Sequence, residues 1–236
     1  VGDGFSVDLS EAETWNAPPA PLELRSLEEM NLNMRVLRDV IYTHPSREGL
    51  VPLLESVALL GPMQVFLRAQ TPPSISERAR PYIERLMWAL FSGDLKAAAE
   101  NAGHILGLGP GLTPSCDDFL AGLIFSLKRG VNILFDDGAL SGFIDKFAGE
   151  IMNSAKSKTT IYSLSYLTEA ARGEAPAPAI DLVYAIVSKG PDETAALSRK
   201  LIKMGETSGS DTAVGIYYGM RFLISRIELE ELNATA

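Results

Sequence analysis

Gly107-Leu-Gly-Pro-Gly-Leu-Thr-Pro-Ser-Cys-Asp-Asp-Phe119 runs on into Leu120-Ala-Gly-Leu-Ile-Phe-Ser-Leu127 and changes character halfway. The first half, with three glycines and two prolines, fixes an irregular loop. The second half is apolar and helical, with Phe119, Leu123 and Leu127 at helical spacing. Thr113 and Ser115 are placed to cap that helix, and Asp117 and Asp118 fall in its first turn, where the helix dipole favours carboxylates. Glycine lets backbone approach a ligand, and a helix N-terminus offers unpaired N–H groups to an anion. The spacing therefore predicts a loop that holds something small and charged. Consecutive helical residues point about 100° apart, so the two aspartates cannot face one point. One is expected to pair structurally, and the other to meet a substrate amide or a hard cation such as Mg²⁺.

Outward from this stretch the chain reads as helices. Met30, Met34, Leu37 and Ile41 keep a helical period that His44-Pro45 ends, and Leu50, Leu53, Leu54 and Val57 predict a second helix. Ser74-Ile-Ser-Glu77 has the form of a capping box ahead of Tyr82, Leu86 and Leu90. After a break at Gly93-Asp94, an Ala-rich helix runs to Leu106. Further helices are expected over about 140–155, 160–171, 181–188, from Pro191, and from about Ser210 to Leu229, the last apolar on most faces and hence buried. Strand signals are few. Phe5, Val7 and Leu9 alternate with polar neighbours before a Pro-rich connection, Ala17-Pro-Pro-Ala-Pro21, and Met63–Leu67 fits strand or helix. The expected fold is mainly α: a helical domain over 28–236 behind a short, truncated, β-containing segment over 1–27.

Composition narrows the classes. A chain of 236 residues, 46% hydrophobic, can bury a full core. A net charge of −9 argues against a nucleic-acid partner. The most tempting apolar run, Thr212 to Met220, is ended by Arg221, short of the roughly 20 residues a membrane span needs. The one cysteine, Cys116, excludes an internal disulfide and fits a reducing, cytoplasmic setting. Two histidines leave little room for zinc chemistry. The chain opens on Val1 rather than Met, so more sequence is expected before it.

Ser115-x-x-Asp118-x-x-x-Gly122 is echoed by Ser208-x-x-Asp211-x-x-x-Gly215. Each serine can cap a helix while each aspartate reaches back to the cap, and each glycine lets another helix pack closely. Ser-x-x-Asp alone is ordinary helix punctuation. The richer surroundings raise both copies: Gly107, Gly109 and Gly111 before the first, Gly205-Glu-Thr-Ser-Gly-Ser210 before the second. A third polar turn, Lys156-Ser-Lys-Thr159-Thr160, joins two lysines to three hydroxyls ahead of a helix. It suits a phosphate or carboxylate, or else completes the preceding helix as a solvated turn. The candidate ligand-binding set is Gly107, Gly109, Gly111, Thr113, Ser115, Lys156, Lys158, Thr159, Thr160, Ser208 and Ser210. The candidate catalytic residues are Asp118 and Asp211, with Asp117 beside them, and Asp118 and Asp211 are the ligands if Mg²⁺ binds. The three turns are expected to line one cleft. A thiol at a helix N-terminus is more acidic than usual, but no histidine lies near Cys116 in sequence, so a nucleophilic role is not expected.

The stretch from Gly107 resembles the signature of the AllH family, Gly-x-Gly-x-Gly-Leu-Thr-Pro-Ser-Gly-Asp-Asp, with Cys116 in place of the last glycine. Thr159-Thr160 with Ser163 and Ala170-x-x-Gly173, and the segment Thr207-Ser-Gly-Ser-Asp211, agree with that family, and the resemblance covers about 85–225. It implies a subunit of an oxamate carbamoyltransferase-like complex of allantoin breakdown, which interconverts oxalurate plus phosphate with oxamate plus carbamoyl phosphate. The implied partners are a small anionic substrate and other subunits, or a homo-oligomer. It also implies a β-rich N-terminal part of which this chain carries only the end. The alternatives are a non-catalytic assembly subunit and a stand-alone binder of a phosphate ligand or nucleotide.

Overall fold

A computed structural model describes residues 6, 8–13, 17–43, 48–54 and 73–235. These form nine α-helices: α1 (Leu27–Tyr42), α2 (Ile75–Ser92), α3 (Leu95–Ile105), α4 (Ser115–Leu134), α5 (Gly138–Ala155), α6 (Ile161–Ala171), α7 (Ala177–Ser188), α8 (Pro191–Ile202) and α9 (Ser208–Thr235). One 3₁₀ turn, Val51–Leu54, lies between α1 and α2.

Local chemistry sets most boundaries. Ser26 and Ser74 close capping boxes with Glu29 and Glu77, satisfying first-turn N–H groups of α1 and α2. Gly93, left-handed at φ 73°, ends α2. Asp94, Asp137 and Thr160 cap α3, α5 and α6 through their side chains. The expected second helix is only the 3₁₀ turn within the described residues; Val57 and Met63–Leu67 lie outside them, as does His44-Pro45. The expected N-terminal strand is a correction: the described residues hold no strand, and Ser10 and Glu11 sit in a turn. Phe5 and Val7, on which the alternation rested, are not among the described residues. The segment after them is tied down by other means, with Tyr184 Oη donating to Pro18 O (3.1 Å) and Arg25 N to Val187 O (2.8 Å).

α4 is the axis of the fold. Every residue from Ser115 to Leu127 is buried, both aspartates included. A helix apolar on all sides has to be surrounded, and α9, α6 and α5 pack around it while α1 and α8 pack on α9. Phe119, Phe125, Phe147 and Phe222 are fully buried, each contributing roughly 2–3 kcal/mol by area. α9 is α4's closest partner. A Cβ on Gly122 would lie 2.2 Å from Thr212 O, and one on Gly215 would lie 2.1 Å from Phe119 O. The helices run side by side in the same direction, backbone against backbone, so the two Ser-x-x-Asp-x-x-x-Gly segments face each other. The glycine half of that echo is a reciprocal helix contact.

Candidate functional site

The loop before α4 is braced by its own backbone. Gly107 has φ 76°, and a Cβ there would lie 2.2 Å from Lys158 O. Only glycine combines that conformation with that approach. The N-cap of α4 is Pro114, with no side-chain cap, so the expected caps Thr113 and Ser115 act elsewhere. Cys116 N donates to Leu108 O (3.1 Å), and Asp117 N and Asp118 N donate to Pro114 O (2.8 and 3.1 Å). These first-turn donors are already used, which closes the backbone cradle an anion would need.

The two adjacent aspartates divide the work. Asp117 Oδ1 accepts from Gly107 N (2.7 Å), and Oδ2 accepts the Thr159 hydroxyl. Asp117 thereby locks the loop to the third polar turn. Burial raises its pKa, opposed by the Gly107 N–H and the Thr159 hydroxyl. Asp118 points elsewhere. It is 1% exposed, and its Oδ2 has no hydrogen-bond partner among the described residues. Burial pushes its carboxyl up to about 7; the Ser208 and Thr113 hydroxyls oppose the rise, and the nearby Asp211 and Asp117 charges add to it.

Asp211 mirrors Asp118 on α9. Its Oδ1 accepts from Leu50 N (2.7 Å), while its Oδ2 is buried and unpartnered among the described residues. Burial lifts it to about 6 against the Leu50 N–H and the Ser115 and Thr207 hydroxyls. Gly49, at φ 66°, makes this wrap possible, since a Cβ there would meet Asp211 Oδ1 at 2.4 Å. Each serine thus serves the other motif's aspartate: Ser208 stands by Asp118 and Ser115 by Asp211. The expected reach-back within one helix is replaced by an exchange between two.

A cavity of about 280 Å³ opens at this junction, lined among others by Thr113, Asp118, Tyr166, Ser208 and Thr212. Thr113 Oγ1 and Ser208 Oγ are 3.1 Å apart, and Tyr166 Oη and Thr212 Oγ1 3.3 Å apart. Four hydroxyls and a half-satisfied carboxylate face one space. Asp211 is not among the lining residues, and its charge adds to the rise of Asp118's pKa.

The three polar turns do lie together, but only two line this cavity. The third turn braces the loop from outside. Thr160 caps α6 and donates to Leu112 O, and Lys158 Nζ donates to Gly103 O (2.7 Å), near the C-terminus of α3. Lys156 is exposed. Ser210 donates to Thr207 O (2.8 Å) and is buried, Gly109 packs against Ser115 N, and Gly111 faces open space. Among the described residues no group of three or more His, Cys, Asp or Glu gathers as a metal site.

Sequence reasoning missed Tyr166 and Thr212. Thr212 follows the second aspartate directly and was open to view. Tyr166 reaches the cavity only because α6 crosses α4 there, which nothing in the local pattern announces.

Cys116 is fully buried, and burial first, then the Asp211 and Asp117 charges, push its thiol well above the usual range. His104 is exposed and stacks near Tyr82 at 4.8 Å, so no histidine attends the thiol among the described residues. Cys116→Ser and Cys116→Gly are expected to keep ligand binding and turnover, at a stability loss of about 1–2 kcal/mol. Loss of turnover in a folded Cys116→Ser protein overturns this.

Residues 105–220 match the family model described as oxamate carbamoyltransferase subunit AllH. No solved structure matches the chain. Among the described residues no helix is long and apolar enough to cross a membrane.

Proposed function

We propose, from the match of residues 105–220 to the AllH family model, that the chain is a subunit of a carbamoyltransferase-type complex of ureide breakdown whose cavity holds the amide end of an oxamate-like ligand. One observation carries this reading: the buried, unbonded Asp118 Oδ2 in a hydroxyl-lined cavity within the matched segment. A carboxylate kept from water and left half-satisfied calls for an N–H donor. The hydroxyls of Thr113, Ser208 and Thr212 can donate or accept around it.

In carbamoyl transfer to oxamate, the amide nitrogen attacks the carbonyl carbon of carbamoyl phosphate. The carbon–oxygen bond to phosphate breaks, and the nitrogen gives up a proton. Asp118, raised to about 7, accepts that proton near neutrality, where a general base works best. Burial holds Asp118's pKa up, and the Asp211 charge adds to it. Asp118 and Asp211 are the ligands if Mg²⁺ binds. The reading places the complex in the cytoplasm, with Cys116 reduced.

The phosphate end needs cations. The N–H groups of Cys116, Asp117 and Asp118 are already engaged, so we assign phosphate to the Lys156–Thr160 turn together with other subunits. Inorganic phosphate is expected to raise the melting temperature by an amount that grows with concentration. Lys156→Ala should weaken that protection. Lys158→Ala should also lower the unliganded melting point slightly, because it frees Gly103 O. Full phosphate protection in the Lys156→Ala/Lys158→Ala protein would place the anion elsewhere.

Leu112, Ile161 and Tyr162 are 66%, 77% and 58% exposed beside the loop, an apolar rim that supports contact with other subunits. A non-catalytic assembly role rests on the same rim. Turnover of the reconstituted complex with Asp118→Asn separates the two readings: loss supports catalysis here, and unchanged turnover supports assembly alone. Phosphate or nucleotide binding with no response to oxamate would instead favour a stand-alone binder.

A further inference from the structure

α2 turns one whole face to solvent. Pro81, Glu84, Arg85, Trp88, Phe91 and Ser92 are all exposed, and at 100° per residue they fall within about 120° of arc. Trp88 is 76% exposed, and Phe91, one turn on, is 39% exposed. A single exposed apolar residue needs no explanation. An indole and a phenyl ring three residues apart are neighbours on the helix surface, and they form an apolar ridge that the isolated chain leaves in water. Beside the ridge, between α2 and α3, runs an open groove of about 580 Å³ with Ala89 and Ala97 among its lining residues. Their small side chains leave room for a large one. The face therefore carries both a projection and a recess.

The charges around it are two-sided as well. Arg85 and Lys96 have no ion-pair partner among the described residues. Glu84 reaches only Arg80, at 3.9 Å, and Asp94 gives one carboxylate oxygen to Ala97 N (2.9 Å). One acid and one base thus stand at each end of the ridge, Glu84 with Arg85 and Asp94 with Lys96. We propose that this face is where a second copy of the chain docks, through an antiparallel α2–α2 contact about a two-fold axis. An axis at the level of Ala89 and Leu90 sets Trp88 of one copy against Phe91 of the other, beside the recess at Ala89 and Ala97. The same axis sets Arg85 opposite Asp94 and Glu84 beside Lys96. A two-fold contact repeats every pairing, so unlike charges meet at both ends. A parallel arrangement would bring Arg85 against Arg85 and Glu84 against Glu84, and like charges face to face oppose docking. A partner of one sign of charge would answer only half of these groups. The groove shares no lining residue with the Asp118 cavity, and the contact does not depend on the carbamoyl-transfer reading.

Sedimentation velocity of the whole chain over a concentration series tests this. The wild-type chain is expected to pass from monomer to dimer as concentration rises. Trp88→Ala should weaken the dimer at least about 30-fold, as loss of a central aromatic anchor does, while the melting temperature of the dilute monomer stays unchanged. Glu84→Lys and Lys96→Glu each set like charges face to face, at two symmetric places, and should each weaken it at least about threefold. The Glu84→Lys/Lys96→Glu chain restores unlike pairs and should return the dimer to near wild-type strength. A chain still monomeric at roughly 100 µM, where even a weak specific contact shows, overturns the proposal. So does a dimer that Trp88→Ala leaves intact. Single charge variants that dimerise like wild type, or a double variant no stronger than the singles, overturn the antiparallel pairing and the proposal with it. A monomeric chain whose Trp88→Ala variant no longer joins other subunits would give the face to a different partner and likewise overturn it.

Discussion

Asp118→Asn is expected to make the protein more stable and less functional at the same pH. The Asp118 carboxyl sits near 7 in the folded chain against an ordinary 3.8, and burial is the main cause. Below about pH 4 the group is protonated in both states and costs nothing. Between about 4 and 7 the unfolded chain releases the proton while the folded chain holds it, so stability falls as pH rises through this window. Above 7 the loss is complete, on the order of a few kcal/mol. Asparagine carries no charge to bury. Its gain over wild type should therefore be absent near pH 4, grow toward pH 7 and level off above it. Asp211→Asn should behave similarly over about pH 4–6, with a smaller gain, because the asparagine oxygen can still accept from Leu50 N. Turnover of the reconstituted complex should fall about 10²–10⁴-fold with Asp118→Asn, the range a positioned general base supplies. Chemical denaturation at pH 4 and pH 8 reads the first effect directly. An Asp118→Asn protein less stable than wild type at pH 8 would mean that the carboxylate is satisfied in the fold, and the ligand argument built on it would fail.

That asparagine test separates what was legible in the sequence from what was not. Serine and aspartate at helix starts are visible as residue types, and so is the fact that adjacent aspartates diverge. The echo with Asp211 singled out Asp118, but what turns Asp118 rather than Asp117 to the cavity was not visible. It is decided by Gly107 N and Thr159, which come from the loop and from another turn to occupy Asp117. Capping boxes at Ser26 and Ser74 were legible because their partners lie three residues away. The same logic misled at Ser115 and Ser208, since parallel packing of α4 and α9 puts a better partner across the interface. Lys158 was read as an anion ligand from its company of hydroxyls; that its ammonium also reaches the α3 carbonyl of Gly103, 55 positions earlier, was not visible. Distance in sequence, more than subtlety of pattern, marks the contacts that were missed.

Gly122→Ala and Gly215→Ala should each cost about 3 kcal/mol or more, because their obstacles are backbone atoms. The added methyl would lie 2.2 Å from Thr212 O in the first and 2.1 Å from Phe119 O in the second, where ordinary contact begins at 3.4 Å. Neither carbonyl can rotate away without breaking its helix, so α4 and α9 must separate by about 1 Å, and overpacking of that kind destabilises a close-packed core. Gly219→Ala should cost less, since its nearest obstacle is the Ser126 hydroxyl, a side chain able to turn. Gly149→Ala on α5 meets nothing within 4 Å and should instead gain roughly 0.5–1 kcal/mol. The same separation reaches the site, because Asp118 and Asp211 each lie one turn before these glycines. Water admitted between the helices would hydrate both carboxylates and bring their pKa values down. In Gly122→Ala and Gly215→Ala, therefore, the fall in stability between pH 4 and 7 should flatten, and the gain from adding Asp118→Asn should shrink. A glycine variant that loses stability yet keeps the full pH dependence would show that burial of Asp118 is set by the loop and α6 rather than by the α4–α9 contact.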